Sequence, residues 1–207
     1  VLINSNGSFD KKGAQKIKLE INGIPDPKQA LDTASHIQRP SPISYINSMI
    51  DGFIELRGDR ISADDRTIRG GMGFISGAPI LVIGQERVRR PGHDGYHVHP
   101  EGFRKAQRLM RLAAKFKLPV VTLVDTEGAH PSLEAEEQGV GNSIATTIAL
   151  MVALPVPVVS AIVGDAGSEG ALALGVADSI LMQQYAIYSP LSSERTASRL
   201  YRDKSLE

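Results

Sequence analysis

Ile162-Val163-Gly164-Asp165-Ala166-Gly167-Ser168-Glu169-Gly170-Ala171-Leu172-Ala173-Leu174-Gly175 decides how this chain is read. An apolar strand runs into a glycine-rich turn, and the turn becomes an Ala/Leu helix predicted over 171–177. The first N–H groups of a helix have no partners inside it and sit at the positive end of its dipole. Such a junction suits a phosphate, a carboxylate or a developing oxyanion. Tight strand-to-helix packing accounts for the same glycines, so both readings stand on this segment alone.

Working outward, the same unit recurs upstream. Residues 118–124 read as a buried strand, Asp125-Thr126-Glu127-Gly128-Ala129-His130-Pro131 as its turn, and 134–149 as a helix; 156–163 is the strand feeding the 164–170 turn. Residues 100–116 form a predicted helix with Phe103, Ala106, Leu109, Met110 and Ala113 at three- and four-residue spacing. Helices alternating with strands in this way predict a layered α/β fold with parallel strands and right-handed crossovers. Ligands gather at the carboxyl ends of such strands, so the 125–131 and 164–170 turns are expected on one side of the sheet. Residues 68–75 and 79–84, separated by Ser76-Gly77-Ala78, read as a β-hairpin. Ser41 or Ser44 is positioned to cap a helix carrying Tyr45, Ile46, Met49 and Ile50, with Pro42 in its first turn. Asn4-Ser5-Asn6-Gly7-Ser8 and Gly23-Ile24-Pro25-Asp26-Pro27 are turn signals, so 1–38 is expected to be an arm with one or two short helical turns. The main domain is expected over 39–207.

Composition bounds the function. The chain has 207 residues, and its 42% hydrophobic content suffices for one sizeable core. Lys+Arg and Asp+Glu both number 23, so the charge balance gives no argument for nucleic acid or an anionic membrane. The chain has no cysteine, which excludes disulfides, thiolate metal sites and cysteine nucleophiles, and fits a reducing, cytoplasmic setting. No apolar run approaches the roughly 20 residues of a bilayer span. The first residue is Val, so a trimmed start is expected.

One ordered series of motifs is far more specific than either turn. It comprises Arg39-Pro40, Glu55-Leu56-Arg57-Gly58-Asp59-Arg60, Gly70-Gly71, Pro100-Glu101-Gly102-Phe103-Arg104-Lys105-Ala106, the 125–131 turn, Ala135-Glu136-Glu137-Gln138-Gly139 and Gly167-Ser168-Glu169-Gly170-Ala171. Over about residues 39–200 it resembles the carboxyltransferase α subunit of bacterial acetyl-CoA carboxylase. The resemblance implies a crotonase-like (ClpP/crotonase) fold of stacked β-β-α units. It further implies transfer of a carboxyl group from carboxybiotin, borne on a biotin carboxyl carrier protein, to acetyl-CoA to give malonyl-CoA. Carboxybiotin is then a substrate, and no cofactor is bound by this chain itself. The site lies between this chain and a carboxyltransferase β subunit, in an α2β2 hetero-oligomer or with a self-associated dimer when isolated. Further helical chain is expected after Glu207.

By the same resemblance the oxyanion pair is the backbone N–H groups of Glu169 and Gly170. Negative charge on the ureido oxygen would be stabilised there without a side-chain nucleophile. Gly128, Ala129, Gly167 and Ser168 are implied to line the substrate, and Arg87, Arg89 and Arg90 are candidates for contacts with phosphate or carboxylate groups. The sequence departs from the family pattern at Glu169, where glycine is usual, and at Ala166, Glu127, His130 and Ser132-Leu133-Glu134. Glu169 therefore leaves open a tolerated variant, a reshaped site or a weakly active scaffold subunit.

His93, His97 and His99 stand in one loop, but no carboxylate cluster accompanies them, and no metal site is expected. Ser168, His130 and Asp125 are the members of a conceivable serine-hydrolase triad, although Ala166 breaks the G-x-S-x-G pattern. Arg57-Gly58-Asp59 spells an adhesion tripeptide and is read as a turn.

Overall fold

Near-continuous apolar runs build the central strands, and a few punctuating residues delimit the helices. The computed structural model describes residues 26–36, 38–87 and 97–191. In chain order the elements are α1 (Pro27–Ala34), α2 (Pro42–Met49), β1 (Asp51–Glu55), β2 (Ile68–Ile75), β3 (Ala78–Gln85), β4 (His97–Val98) and α3 (Pro100–Phe116). They continue as β5 (Val120–Thr126), β6 (Gly128–Ala129), α4 (Leu133–Glu137), α5 (Val140–Ala153), β7 (Val158–Gly167), α6 (Ser168–Gly175), β8 (Ser179–Met182) and β9 (Ile187–Ser189).

The large sheet runs β1-β2-β3-β5-β7-β8, with β9 also paired to β7. β1, β2 and β3 are antiparallel, and β3, β5, β7 and β8 are parallel. β4 and β6 make a small parallel sheet of their own. The chain therefore climbs in turns: β3, β4 and α3, then β5, β6 and α4–α5, then β7 and α6, each strand stacked on its counterpart in the previous turn. This is the expected arrangement of stacked β-β-α units.

β3 is buried along its last six residues because it is covered on both faces. Leu81 and Ile83 face the core shared with Phe103, Leu109, Met110 and Ile144, while Val82 joins Ile46, Ile50, Leu123 and Val163 on the other face. The five apolar residues expected on one stripe of α3 are all completely buried. Pro100 opens that helix in its first turn, and Lys117, at φ 56°, closes it in the left-handed conformation. The hairpin turns on Ser76 and Gly77, with φ values of 50° and 78°, the positive pair that a two-residue turn of this twist needs.

Three local expectations are corrected. The helix expected over 134–149 is two helices, because Gly139 takes φ 77° between α4 and α5. β7 runs on through Gly167 and α6 begins at Ser168, so the expected 164–170 turn contracts to a direct strand-to-helix junction. Ser41 occupies the N-cap position of α2 without capping it; the Glu86 carboxylate instead accepts the Ile43 N–H at 2.8 Å. Gly23, Ile24 and Pro25 of the expected turn lie outside the described residues, and Asp26 starts a short helix of the kind expected in 1–38, its side chain capping α1 by accepting the Gln29 N–H at 3.1 Å.

The loop between β1 and β2 is held by one face of α3. Arg104 donates to Asp59 at 2.8 Å, Lys105 to Asp64 at 2.6 Å and to the Ile68 carbonyl at 2.7 Å, and Arg108 to the Gly58 carbonyl at 2.9 Å. Two of the sequence motifs are thus partners in one clamp. Asp59 of the Arg57-Gly58-Asp59 tripeptide is buried within it, which removes the adhesive reading. Among the described residues no helix is long and apolar enough to cross a membrane.

Candidate functional site

The carboxyl ends of β5 and β7 come together backbone to backbone. A Cβ added to Gly170 would lie 2.6 Å from both the Gly128 carbonyl carbon and the Ala129 nitrogen, and one added to Gly167 would lie 2.8 Å from the Glu127 carbonyl oxygen. Gly128 itself adopts φ 124°, a conformation that side chains rarely tolerate. The glycines therefore serve close packing, and that packing sets the first turn of α6 beside the β5–β6 turn. Both readings of the opening segment hold together, since the tight junction is what presents the helix N-terminus.

Ser168, between β7 and the rest of α6, has φ 61°, a left-handed conformation that costs a non-glycine residue of order 1–3 kcal/mol. Its hydroxyl bonds the exposed Glu169 carboxylate. Glu169 and Gly170 follow in the first turn, where backbone N–H groups have no intrahelical acceptor. A groove of about 940 Å³ opens beside them, with Val140, Ile144 and Ile148 as its apolar wall and Arg87, His130 and Ser168 among its polar lining.

Beneath this turn lies a charge cluster. Arg39 pairs with Asp125 and donates to the Val163 carbonyl at 3.1 Å. A side chain at Gly164 would overlap the Arg39 guanidinium, which explains a glycine in mid-strand. Asp125 also accepts the Asp165 N–H at 3.3 Å. Burial pushes the Asp125 carboxyl up to about 6, outweighing the pull of Arg39, Arg87 and the Asp165 N–H. Asp165 is raised as well, chiefly by burial, with Arg87 opposing and Glu127 reinforcing the shift. At the rim Arg87 donates to Glu127 at 2.8 Å.

Gly128, Ala129, Gly167, Ser168, Glu169, Gly170 and Arg87 thus converge on one locality. Arg89, Arg90 and His93 lie outside the described residues. His99 and His130 stack with ring centroids 4.3 Å apart and His97 meets His130 edge-on at 6.0 Å, yet no group of three potential ligands is arranged to hold a metal among the described residues. Two members of the conceivable triad are engaged elsewhere: the Asp125 carboxylate pairs with Arg39 and accepts the Asp165 N–H, and the Ser168 hydroxyl bonds Glu169. Arg39 is present in the sequence only as part of a motif, and its pairing with Asp125 has no local signal; Gln85, which donates to the Gly170 carbonyl, is marked only as a polar end to the apolar run Ile80–Gly84.

The sequence profile of the family described as "Acetyl co-enzyme A carboxylase carboxyltransferase-like" matches residues 8–207. The chain belongs to that family. It is 48% identical over 180 residues to the acetyl-coenzyme A carboxylase carboxyl transferase subunit alpha of Rhodospirillum centenum, covering 85% of this chain and 57% of that protein. The protein of the same description from Heliobacterium modesticaldum is 44% identical over 197 residues, covering 93% of this chain and 59% of the relative. The chain thus spans between half and two thirds of the length of these relatives.

Solved structures show the fold of the family at greater distance. The β subunit of geranyl-CoA carboxylase from P. aeruginosa superimposes with a TM-score of 0.67 at 18% identity, covering 86% of this chain and 34% of that one. Transcarboxylase 12S gives 0.70 at 16% identity, covering 88% and 36%. The fold is crotonase-like, as the family resemblance implied.

Proposed function

We propose that this chain supplies the biotin half of an acetyl-CoA carboxylase carboxyltransferase site, moving a carboxyl group from carboxybiotin to acetyl-CoA to give malonyl-CoA for fatty acid synthesis in the cytoplasm. The single observation behind this reading is the first turn of α6, where Gly170 is seated by backbone packing on Gly128–Ala129 and the adjacent Glu169 lines the groove. As the carboxyl group leaves, charge develops on the ureido oxygen. Two N–H groups fixed at a helix start meet that charge with little reorganisation. Arg87, at the groove, supplies positive potential for the carboxyl group, and the apolar wall from α5 excludes water from it. Acetyl-CoA and the base-facing half of the site belong to a carboxyltransferase β subunit, and the biotin arrives on a carrier protein, so the chain works in a hetero-oligomer.

The test is reconstitution. The chain mixed with its β subunit and biotinylated carrier is expected to form malonyl-CoA, and Ser168→Ala is expected to keep the rate within about tenfold, because Ser168 is not a nucleophile in this reading. Covalent labelling of Ser168 by a fluorophosphonate, with thioester hydrolysis in place of carboxyl transfer, would establish a hydrolase instead.

A further inference from the structure

Three strands each send a buried polar side chain to the backbone of α6. Thr122 of β5 and Ser160 of β7 donate to the Leu174 carbonyl at 2.7 and 3.1 Å, and Gln85 of β3 donates from Nε2 to the Gly170 carbonyl at 2.7 Å. All three residues are completely buried. The two ends of the helix differ in what these bonds accomplish. Leu174 lies in the last turn, where carbonyls have no intrahelical donor, so Thr122 and Ser160 satisfy an orphan acceptor. The carbonyl of residue 170 in an α-helix already accepts the N–H of residue 174. The Gln85 bond is therefore not required for satisfaction of the helix.

It also comes with a penalty. Gln85 Oε1 is buried with no hydrogen-bond partner among the described residues, a state that an apolar side chain of similar size would avoid. A polar residue is thus retained where packing alone favours Met or Leu. Gly170, meanwhile, must lack a side chain because the Gly128–Ala129 backbone passes so close, and glycine is the least restrained residue in the turn.

We infer that Gln85 is a positioning residue for the proposed oxyanion site. Its amide pins the Gly170 carbonyl, and through it the first turn of α6, in which the neighbouring Glu169 lines the groove. Thr122 and Ser160 secure the opposite end of the same helix and set its seating on the sheet. This rests on the proposed function for its catalytic consequence, but the restraint itself is a property of the fold.

Gln85→Met keeps the volume and removes the donor. Two quantities are to be measured on the full chain assembled with its β subunit: the carboxyl-transfer parameters, and amide hydrogen exchange across 168–175 read by mass spectrometry. The inference expects kcat to fall by about tenfold or more with KM for acetyl-CoA within about twofold. It also expects exchange in that segment to rise by about tenfold, and a melting temperature that is unchanged or higher. Unchanged exchange, or losses of kcat and melting temperature in parallel, would overturn it. Should Gln85→Met not assemble, Gln85→Glu decides: its protonated carboxyl regains a donor, so its exchange must approach the wild-type pattern as pH falls, and a pH-independent difference refutes the role. A wild-type assembly without carboxyl transfer would defeat the proposed function, while the exchange comparison still judges Gln85.

Discussion

Gly170 rests directly on Gly128: a Cβ on the first would lie 2.6 Å from the carbonyl carbon of the second. Neither residue is near the other in sequence, and the contact joins β6 to the start of α6, just beyond the ends of the parallel strands β5 and β7. Cβ atoms essentially never approach backbone so closely, so Gly170→Ala forces the β6 segment or the α6 start to move. Overpacking of this kind costs about 1–3 kcal/mol in stability. If the first turn of α6 is the oxyanion site, carboxyl transfer should fall much further, by about 10²-fold, the scale of losing one well-placed donor. Denaturant titration and assay of the reconstituted assembly measure the two effects separately.

Asp125 makes stability depend on pH in an unusual direction. Its folded pKa, raised by burial to about 6, lies above the ordinary carboxylate value near 3.9. The folded state therefore binds more protons than the unfolded state between those values, and the contribution of Asp125 declines as pH rises from about 4 to about 6. Asp125→Asn cannot titrate. Relative to wild type its stability should improve across that interval, as followed by urea denaturation at a series of pH values. Arg39→Met removes the opposing charge, so the upper end of the window should move to higher pH while its lower end stays at the ordinary carboxylate value.

Asp59 has the opposite sign. Burial works against its charged form, but the N–H groups of Ile61, Ser62 and Ala63 and the Arg104 guanidinium outweigh that and hold the carboxyl down at about 2. Its stabilisation is complete above the ordinary carboxylate value and disappears as pH falls through about 2. Asp59→Ala leaves buried donors without an acceptor and should cost about 1–3 kcal/mol at pH 7. The deficit should shrink below pH 4, the reverse of the Asp125 profile in the same titration.

What could be read in advance depended on how local its cause was. The limits of α3 follow from Pro100 and from the apolar stripe, both visible within 17 residues. The hairpin follows from Ser76-Gly77. The break at Gly139 was hidden because a helical pattern runs on either side of it, and only the positive φ shows that the chain turns there. Gly164 looked like part of a turn, yet it is a strand residue that makes room for Arg39, a partner remote in sequence. The same distance concealed Gln85, whose acceptor is the carbonyl of Gly170. Those of the nominated residues that are described lie close together, and beneath them runs the long-range pairing of Arg39, Asp125 and Asp165, on which local periodicity is silent.

The central claim is that the backbone N–H of Glu169, and not its side chain, takes part in carboxyl transfer. Glu169→Gly and Glu169→Pro both remove the carboxylate, but only proline removes the N–H, and proline is accepted in the first turn of a helix. Ser168 already lies outside the right-handed helical region that a following proline disfavours. The decisive measurement is the ratio of transfer rates of these two variants, assembled with the same β subunit and shown by circular dichroism to be equally folded. The account predicts that Glu169→Gly stays within about tenfold of wild type while Glu169→Pro is slower than it by about 10²-fold or more. Equal rates for the two variants would contradict it.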